Sequence, residues 1–324
     1  MTAVRTSAPA AVVTDISSTE RRLSLLYMML FPSETKLMDL TLTEQPDWAL
    51  LSSGDGRKLE RFGSMVLERP APQAVWDIED PEEWECAQAI FQRRSDGSGD
   101  WRRARGVAQE SWTVRLFGVP MQLRFTGFGN VGVFPEHAVH WPWMEALLRG
   151  NPGAEVLNLF SYTGGASIFC AEAGARVTHV DAAKSVNAWA QLNARYAGPD
   201  VSKAGGEVRL ITDDAVKFVR REARRGRKYR GIILDPPTFG RGAKGEVWKV
   251  DRDFVRLMEA CREVLHEDAL FTLVTSHSPG ITPAVLRALL RGYPGRIESG
   301  EMLLSGKRGP NLPAGAYARV TCAS

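Results

Sequence analysis

Asn158-Leu-Phe-Ser-Tyr-Thr-Gly-Gly-Ala166 follows directly on an apolar run that begins at Glu155, and the reading of this junction decides the fold. A short buried strand that breaks at paired glycines and restarts as a helix is the opening of a β-α unit. Moving outward, apolar β-branched runs recur at Arg176–Val180, Glu207–Ile211, Gly231–Leu234 and Leu270–Thr275, with helix-length amphipathic segments between them. Apolar runs of this length suit a parallel sheet covered on both faces. Gly174 is placed to end the first helix with a positive φ, and the second helix is expected over Lys184–Tyr196. Arg296–Leu304 and Ala316–Cys322, joined by a Gly/Pro-rich loop, read as an antiparallel hairpin on the sheet edge. No internal repeat is present. The fold class is α/β, a doubly wound Rossmann-like sheet.

In such sheets ligands lie beyond the carboxyl ends of the strands. Gly164 and Gly165 let backbone approach a ligand closely, and the helix starting there offers free N–H groups to a carboxylate. The turn lacks the three spaced glycines that accept a pyrophosphate, so a cofactor without phosphate suits it better. Adenosylmethionine has that character. Asp181 ends the second strand, where its carboxylate could accept both ribose hydroxyls, and Asp213-Asp214 ends the third, with Asp214 facing an adenine amino group. Taken singly, Asp181 has a plainer alternative as only a helix N-cap, and the glycines read equally as a tight turn. The fourth strand runs into Asp235-Pro-Pro-Thr-Phe239. Two prolines stiffen the backbone and leave the Asp235 carboxylate and the Pro236 carbonyl as acceptors, while Phe239 could stack on a base. The plainer alternative is a turn that only ends the strand.

These motifs together resemble the bacterial 23S ribosomal RNA methyltransferases that make 5-methylcytosine or 7-methylguanine. The resemblance covers most of residues 130–324. It implies a class I methyltransferase fold, S-adenosyl-L-methionine as donor and RNA, ribosomal by analogy, as acceptor. Carried over by position, it implies that Asn158, Phe160, Ser161, Tyr162, Thr163, Gly164 and Gly165 meet the donor with Asp181, Asp213, Asp214 and Asp235. Phe134 joins them, because Gly132-Val-Phe-Pro-Glu-His137 is similar to the segment that closes over the cofactor in that family. His140-Trp141 departs from the arginine-bearing form of that segment. Asp235, Pro236, Pro237 and Phe239 are implied to hold the acceptor.

A second departure concerns the chemistry. The 5-methylcytosine enzymes carry a nucleophilic cysteine after the fifth strand, and this chain has Thr275-Ser-His-Ser278 instead. Without a thiolate a pyrimidine carbon cannot be activated covalently, so a base nitrogen is expected as target, with guanine favoured. Cys261 falls inside an expected helix and reads as core. His277 is read either as a substrate contact or as a strand-end cap.

The remainder of the 324 residues divides into an expected disordered tail over 1–22, a small, mostly β domain over 23–130, and the catalytic domain over 131–324. In the small domain, Trp112 to Phe128 alternates as a hairpin would, with Gly118 at its turn. Leu23–Phe31 is too short to span a bilayer. Four scattered cysteines fit a reducing, cytoplasmic setting. The five histidines show no ligand spacing beyond His137 and His140, which read as packing beside Trp141 and Trp143, so no metal is expected. A formal net charge of +3 permits a nucleic-acid partner without demanding one. Two basic clusters are candidates for phosphate: Arg220, Arg221, Arg224, Arg225, Arg227, Lys228 and Arg230, and Arg93, Arg94, Arg102, Arg103 and Arg105 around Trp101. Both also read as solvated faces. Transfer to a small molecule or protein, or a non-catalytic binding module, stand as alternatives, and the oligomeric state is not legible.

Overall fold

The computed structural model describes residues 36–242 and 245–322. The expected tail over 1–22 and the Leu23–Phe31 run lie outside them. The described chain starts with β1 (Lys36–Leu37) and β2 (Leu40–Leu42), followed by β3 (Trp48–Gly54), β4 (Arg57–Phe62), β5 (Met65–Pro70), β6 (Ala89–Arg93) and β7 (Gly99–Arg103). The last five strands form one sheet in sequence order. A separate hairpin, β8 (Ser111–Leu116) and β9 (Val119–Arg124), turns at Phe117 and Gly118, both with positive φ of 48° and 87°. That is the mirror-image turn whose twist matches a two-residue hairpin.

The large sheet has nine strands. Its parallel part comprises β10 (Glu155–Leu159), β11 (Arg176–Asp181), β12 (Glu207–Thr212), β13 (Gly231–Leu234) and β16 (Phe271–Ser276), connected through α2 (Gly165–Glu172), α3 (Lys184–Lys203), α4 (Ala215–Arg224) and α5 (Val250–Glu263). A short helix α1 (Trp141–Arg149) precedes it, and the small ribbon of β14 (Phe239–Arg241) and β15 (Val247–Lys249) interrupts the crossover before α5. After α6 (Pro283–Leu289), β17 (Arg296–Leu304) and β18 (Leu312–Thr321) add the antiparallel end, with β18 inserted between β16 and β17. The strand order from the far edge is β12-β11-β10-β13-β16-β18-β17, and β1 and β2 both pair parallel to β17. Lys36–Leu42 thus belongs to the large sheet by pairing, and covers the length of an edge that would otherwise be open.

Alternation along the strands fills two layers. Val156, Ile233, Phe271 and Leu273 enter one apolar cluster, while Leu157, Leu159, Ile232, Leu234 and Val274 enter the other. Each of these fully buried side chains stabilises the fold by roughly 1.5–3 kcal/mol. The sequence expectation of uniformly buried strands fails at β12, whose exposure alternates because it is the sheet's edge. The second helix runs past its expected end at Tyr196, through Gly198 and Pro199, to Lys203. Apolar burial of Ala197 and Val201 outweighs the missing proline donor there. The closing hairpin strand starts at Leu312 rather than Ala316, with a register shift between Met302 and Leu303. Gly174 does end α2 with a φ of 90°.

Strand β10 is the switch point, since the chain moves from it toward β11 and β12 and later returns to β13 on its other side. A crevice opens where the two directions part. Among the described residues no helix is long and apolar enough to cross a membrane.

Glu172 at the C-terminus of α2 has a buried Oε1 with no hydrogen-bond partner. Burial first, and then the Asp200 carboxylate, push its carboxyl up to about 7. An acid raised on folding favours the folded state most at low pH, and that advantage disappears as pH climbs through the raised value. Glu172→Gln should therefore raise the melting temperature at about pH 8 and change it little at about pH 5, as read by thermal denaturation at both values.

Candidate functional site

The turn after β10 is strained in a specific way. Phe160 and Tyr162 hold positive φ angles of 56° and 52°, conformations that non-glycine residues adopt rarely. Gly164 follows at φ 93° as the N-cap of α2. Hydrogen bonds over-determine this path. Ser161 donates to the Asn158 carbonyl at 2.6 Å and accepts from the Val180 N–H at 3.1 Å. The Tyr162 N–H donates to Asp181 Oδ2 at 3.0 Å, and the Ala183 N–H donates to Asp181 Oδ1 at 2.9 Å.

Beneath the turn lies a buried polar chain. Asn158 Nδ2 donates to Ser167 Oγ at 2.9 Å, and Ser167 lies 3.0 Å from His179 Nδ1. His179 Nε2 lies 3.0 Å from Asn187 Oδ1, while Asn187 Nδ2 donates to the Asp181 and Ile211 carbonyls and to Thr212 Oγ1. Only one tautomer satisfies every member: Nδ1 accepts from Ser167 and Nε2 donates to Asn187. Burial holds His179 down to about 4, which keeps it neutral, as that pattern requires. Asn158, Ser161 and Thr163 are thus buried positioning residues, each with a side-chain hydrogen bond within the protein. Sequence reading missed Ser167, His179 and Asn187, although a histidine and an asparagine in buried strand and helix positions were the available signal.

A cavity of about 500 Å³ opens over the carboxyl ends of β10, β11, β12 and β13. It brings together Phe134, Phe160, Tyr162, Asp181, Asp213, Asp214, Asp235, Pro236 and Pro237 from the sequence expectation. A smaller recess beside it, of about 60 Å³, adds Asn158, Ser161, Thr163 and Gly165. Gly164 lines neither. Phe239 also lies outside the lining, in the β14–β15 ribbon, 49% exposed, with the Arg241 guanidinium 5.8 Å from its ring centre. Trp248, which the sequence did not single out, seals the floor: it packs on Phe160 at 5.0 Å, and its Nε1 donates to the Pro237 carbonyl at 2.7 Å.

The carboxylates differ in what already holds them. Asp214 caps α4 by accepting from the Lys217 N–H at 2.8 Å, and Asp213 pairs with Arg221 at 2.7 Å. Burial raises Asp181 above the ordinary carboxylate range, against the opposing effect of its backbone donors. Among the described lining residues, four aspartates face a single arginine, Arg241. An acidic, partly aromatic cavity of this size suits a cationic small molecule.

Asp235 sits in a cluster that sequence spacing did not reveal. Its Oδ1 accepts from Thr275 Oγ1 at 2.8 Å, His137 Nε2 lies 3.5 Å from Oδ2, and His277 Nδ1 lies 3.6 Å from Oδ1. His277 Nε2 is 3.0 Å from the buried Glu136 Oε1. Burial would raise Asp235, but His137, His277 and Thr275 outweigh it and hold the carboxyl well below its usual range. Burial would likewise lower His277, yet Asp235 and Glu136 lift it well above an ordinary histidine. His137 goes the other way, lowered chiefly by burial. The histidines meet because the loop before α1 reaches over the cavity. Its Gly132, at φ 107°, passes so close to Trp189 that a Cβ there would lie 2.3 Å from the ring, and Thr163 hydrogen-bonds its carbonyl. His140 is a different case: fully buried, it packs edge-on against Tyr317 as an apolar neighbour.

The basic clusters are placed unequally. The run that starts on α4 leads toward Gly231 at the amino ends of the strands, opposite the cavity. Arg221 is spent on Asp213, Arg225 on Glu222 and Lys228 on the Glu263 carbonyl. In the small sheet Trp101 is packed between Phe91 and Phe125, so it is not free to stack on a base, while Arg93, Arg102 and Arg105 are exposed.

Comparison with known proteins agrees with this architecture. The crystal structure of a SAM-dependent methyltransferase from Agrobacterium tumefaciens superimposes with a TM-score of 0.82 and 37% sequence identity, over 90% of this chain and 97% of that one. The ribosomal RNA large subunit methyltransferase K/L of Shewanella sp. strain ANA-3 is 34% identical over 145 residues, 44% of this chain and 19% of that protein. The protein of the same name from Shewanella frigidimarina is 31% identical over 161 residues, 49% of this chain and 20% of its own length. The chain therefore spans about a fifth of the length of those two relatives. Residues 81–294, two thirds of the sequence, match the family described as S-adenosylmethionine-dependent methyltransferase, and with the doubly wound sheet and its acidic cavity this places the chain in that family.

Proposed function

We propose that the chain transfers the methyl group of S-adenosylmethionine to a base nitrogen of RNA, with guanine the favoured base and ribosomal RNA the favoured class. The cytoplasm is the compartment that this reading implies. The observation that carries it is the Asp235-Pro-Pro edge at the cavity wall, with the exposed Phe239 ring and Arg241 on the ribbon immediately after it. A rigid acceptor edge beside an exposed aromatic and a guanidinium suits a planar base that carries its own phosphates. The Shewanella relatives are named as ribosomal RNA methyltransferases, which supports the same choice of acceptor.

The donor's place is read from the same features. Asp181, already raised by burial, would take the ribose hydroxyls, and Phe160 and Tyr162 would flank the ligand. Asp213 and Asp214 would serve the adenine side, and the N-terminus of α2 after Gly164 the amino-acid end. When bound, the donor supplies a methyl group on a sulfonium, whose positive charge the four cavity aspartates favour. The chain's own contribution is alignment: Pro236 and Pro237 fix the edge, and Asp235 accepts from the target's N–H so that its nitrogen faces the donor. No cysteine lines the cavity among the described residues, and Cys261 is buried in α5, which supports a nitrogen rather than a pyrimidine carbon as target.

Three outcomes test this reading. Asp181→Asn should weaken donor binding by about tenfold in calorimetry, since charge-assisted hydrogen bonds are worth about 1.5–3 kcal/mol. Asp235→Asn should leave donor binding within about twofold and abolish transfer, because lost alignment acts on the reacting complex rather than on donor affinity. Incubation with labelled donor and total RNA from a strain lacking the protein should place label in a nitrogen-methylated nucleoside, and uptake should fall as salt rises. Label confined to protein or to small metabolites would overturn the choice of RNA.

A further inference from the structure

We propose that His137, Asp235 and His277 form a binding site for one divalent first-row metal ion, of the zinc type, at the acceptor end of the cavity. The three residues come from the loop before α1, from the end of β13 and from the end of β16, and each offers a donor atom within 4.8 Å of the others. His137 Nε2 lies 3.5 Å from Asp235 Oδ2 and His277 Nδ1 3.6 Å from Asp235 Oδ1, so the two imidazoles approach opposite oxygens of the one carboxylate. An ion bonded tetrahedrally to nitrogen and oxygen at about 2.0–2.2 Å holds its donors about 3.4 Å apart, so donors that lie within 4.8 Å of one another must draw together by up to about 1.4 Å to close the site.

Three further observations favour an ion over a self-contained ion pair. His137 Nε2 is buried and has no hydrogen-bond partner, although it faces the Asp235 carboxylate. His277 presents Nδ1 to the cluster while its Nε2 lies 3.0 Å from Glu136 Oε1, the outer carboxylate that orients a metal-bound imidazole. Glu136 and Asp235 also put two carboxylates beside two imidazoles, a balance that a divalent cation neutralises. Two imidazoles and one carboxylate favour zinc, cobalt or ferrous iron over magnesium or calcium, which prefer all-oxygen shells.

Three protein donors leave a fourth position open. Asp235 and His277 both line the large cavity, so that position faces the space proposed for the acceptor. An ion there would hold the base through its exocyclic carbonyl oxygen and leave the lone pair of the attacking nitrogen free. This use rests on the proposed transfer to a base; binding of the ion does not.

The test needs neither RNA nor donor. Protein dialysed against a chelator is titrated with cobalt(II), followed by its visible absorption, and then with zinc in competition. The wild-type chain should take up one equivalent with the spectrum of a four-coordinate ion. His137→Ala and His277→Ala should each abolish that band, and Glu136→Gln should weaken binding by about 10–100-fold. Far-ultraviolet circular dichroism and thermal denaturation of the same variants show that they are folded. Absence of a stoichiometric ion in the wild type, or an unchanged band in both histidine variants, would overturn the proposal. A chain that binds the ion and methylates no RNA keeps this site and loses the RNA reading.

Discussion

The architecture of the site depends on one buried imidazole. His179 has no exposure to solvent, remains neutral, and joins Ser167 on α2 to Asn187 on α3 while sitting in β11. Through Asn158 and Asn187 the chain of hydrogen bonds reaches the ends of β10, β11 and β12. A half-satisfied polar group in that position would cost more than the apolar residue it displaces, so the network either forms whole or does not form. Because it forms whole, the carboxyl ends of three strands and the start of two helices are fixed relative to one another. The strained angles at Phe160 and Tyr162 can persist only on such a foundation.

On the other side of the switch point the constraint is electrostatic. Asp235 and Glu136 are held ionised against burial by two histidines and a threonine hydroxyl. A carboxylate kept in this state is a fixed acceptor, indifferent to ordinary changes in pH. The two sides of the switch point are thus stabilised by different physics, neutral hydrogen bonding in one case and paired charge in the other.

Much of this was legible in the sequence. The parallel strands were found because period and apolar texture are local properties, and the paired glycines, Asp181 and Asp235-Pro-Pro announce themselves by position after each strand. The edge character of β12 was not, because its neighbours are set by topology rather than by its own composition. The continuation of α3 through Gly198 and Pro199 was hidden by two helix breakers whose cost tertiary burial absorbs. Phe239 was read into the cavity from its place in the motif, whereas the two-stranded ribbon carries it to the rim. The cluster of Glu136, His137, Asp235 and His277 joins positions up to 141 residues apart, and no spacing rule reaches that far.

The strip from Gly132 to His140 is anchored at one end by Trp189 and Thr163, and it delivers Glu136 and His137 at the other. It also carries Phe134, whose ring meets both Tyr162 and His277. One stretch of backbone therefore serves as a common wall between two compartments of the enzyme. Evolution could vary the exposed ring of Phe239 at the rim on its own, but a change in this wall would be felt in both rooms at once.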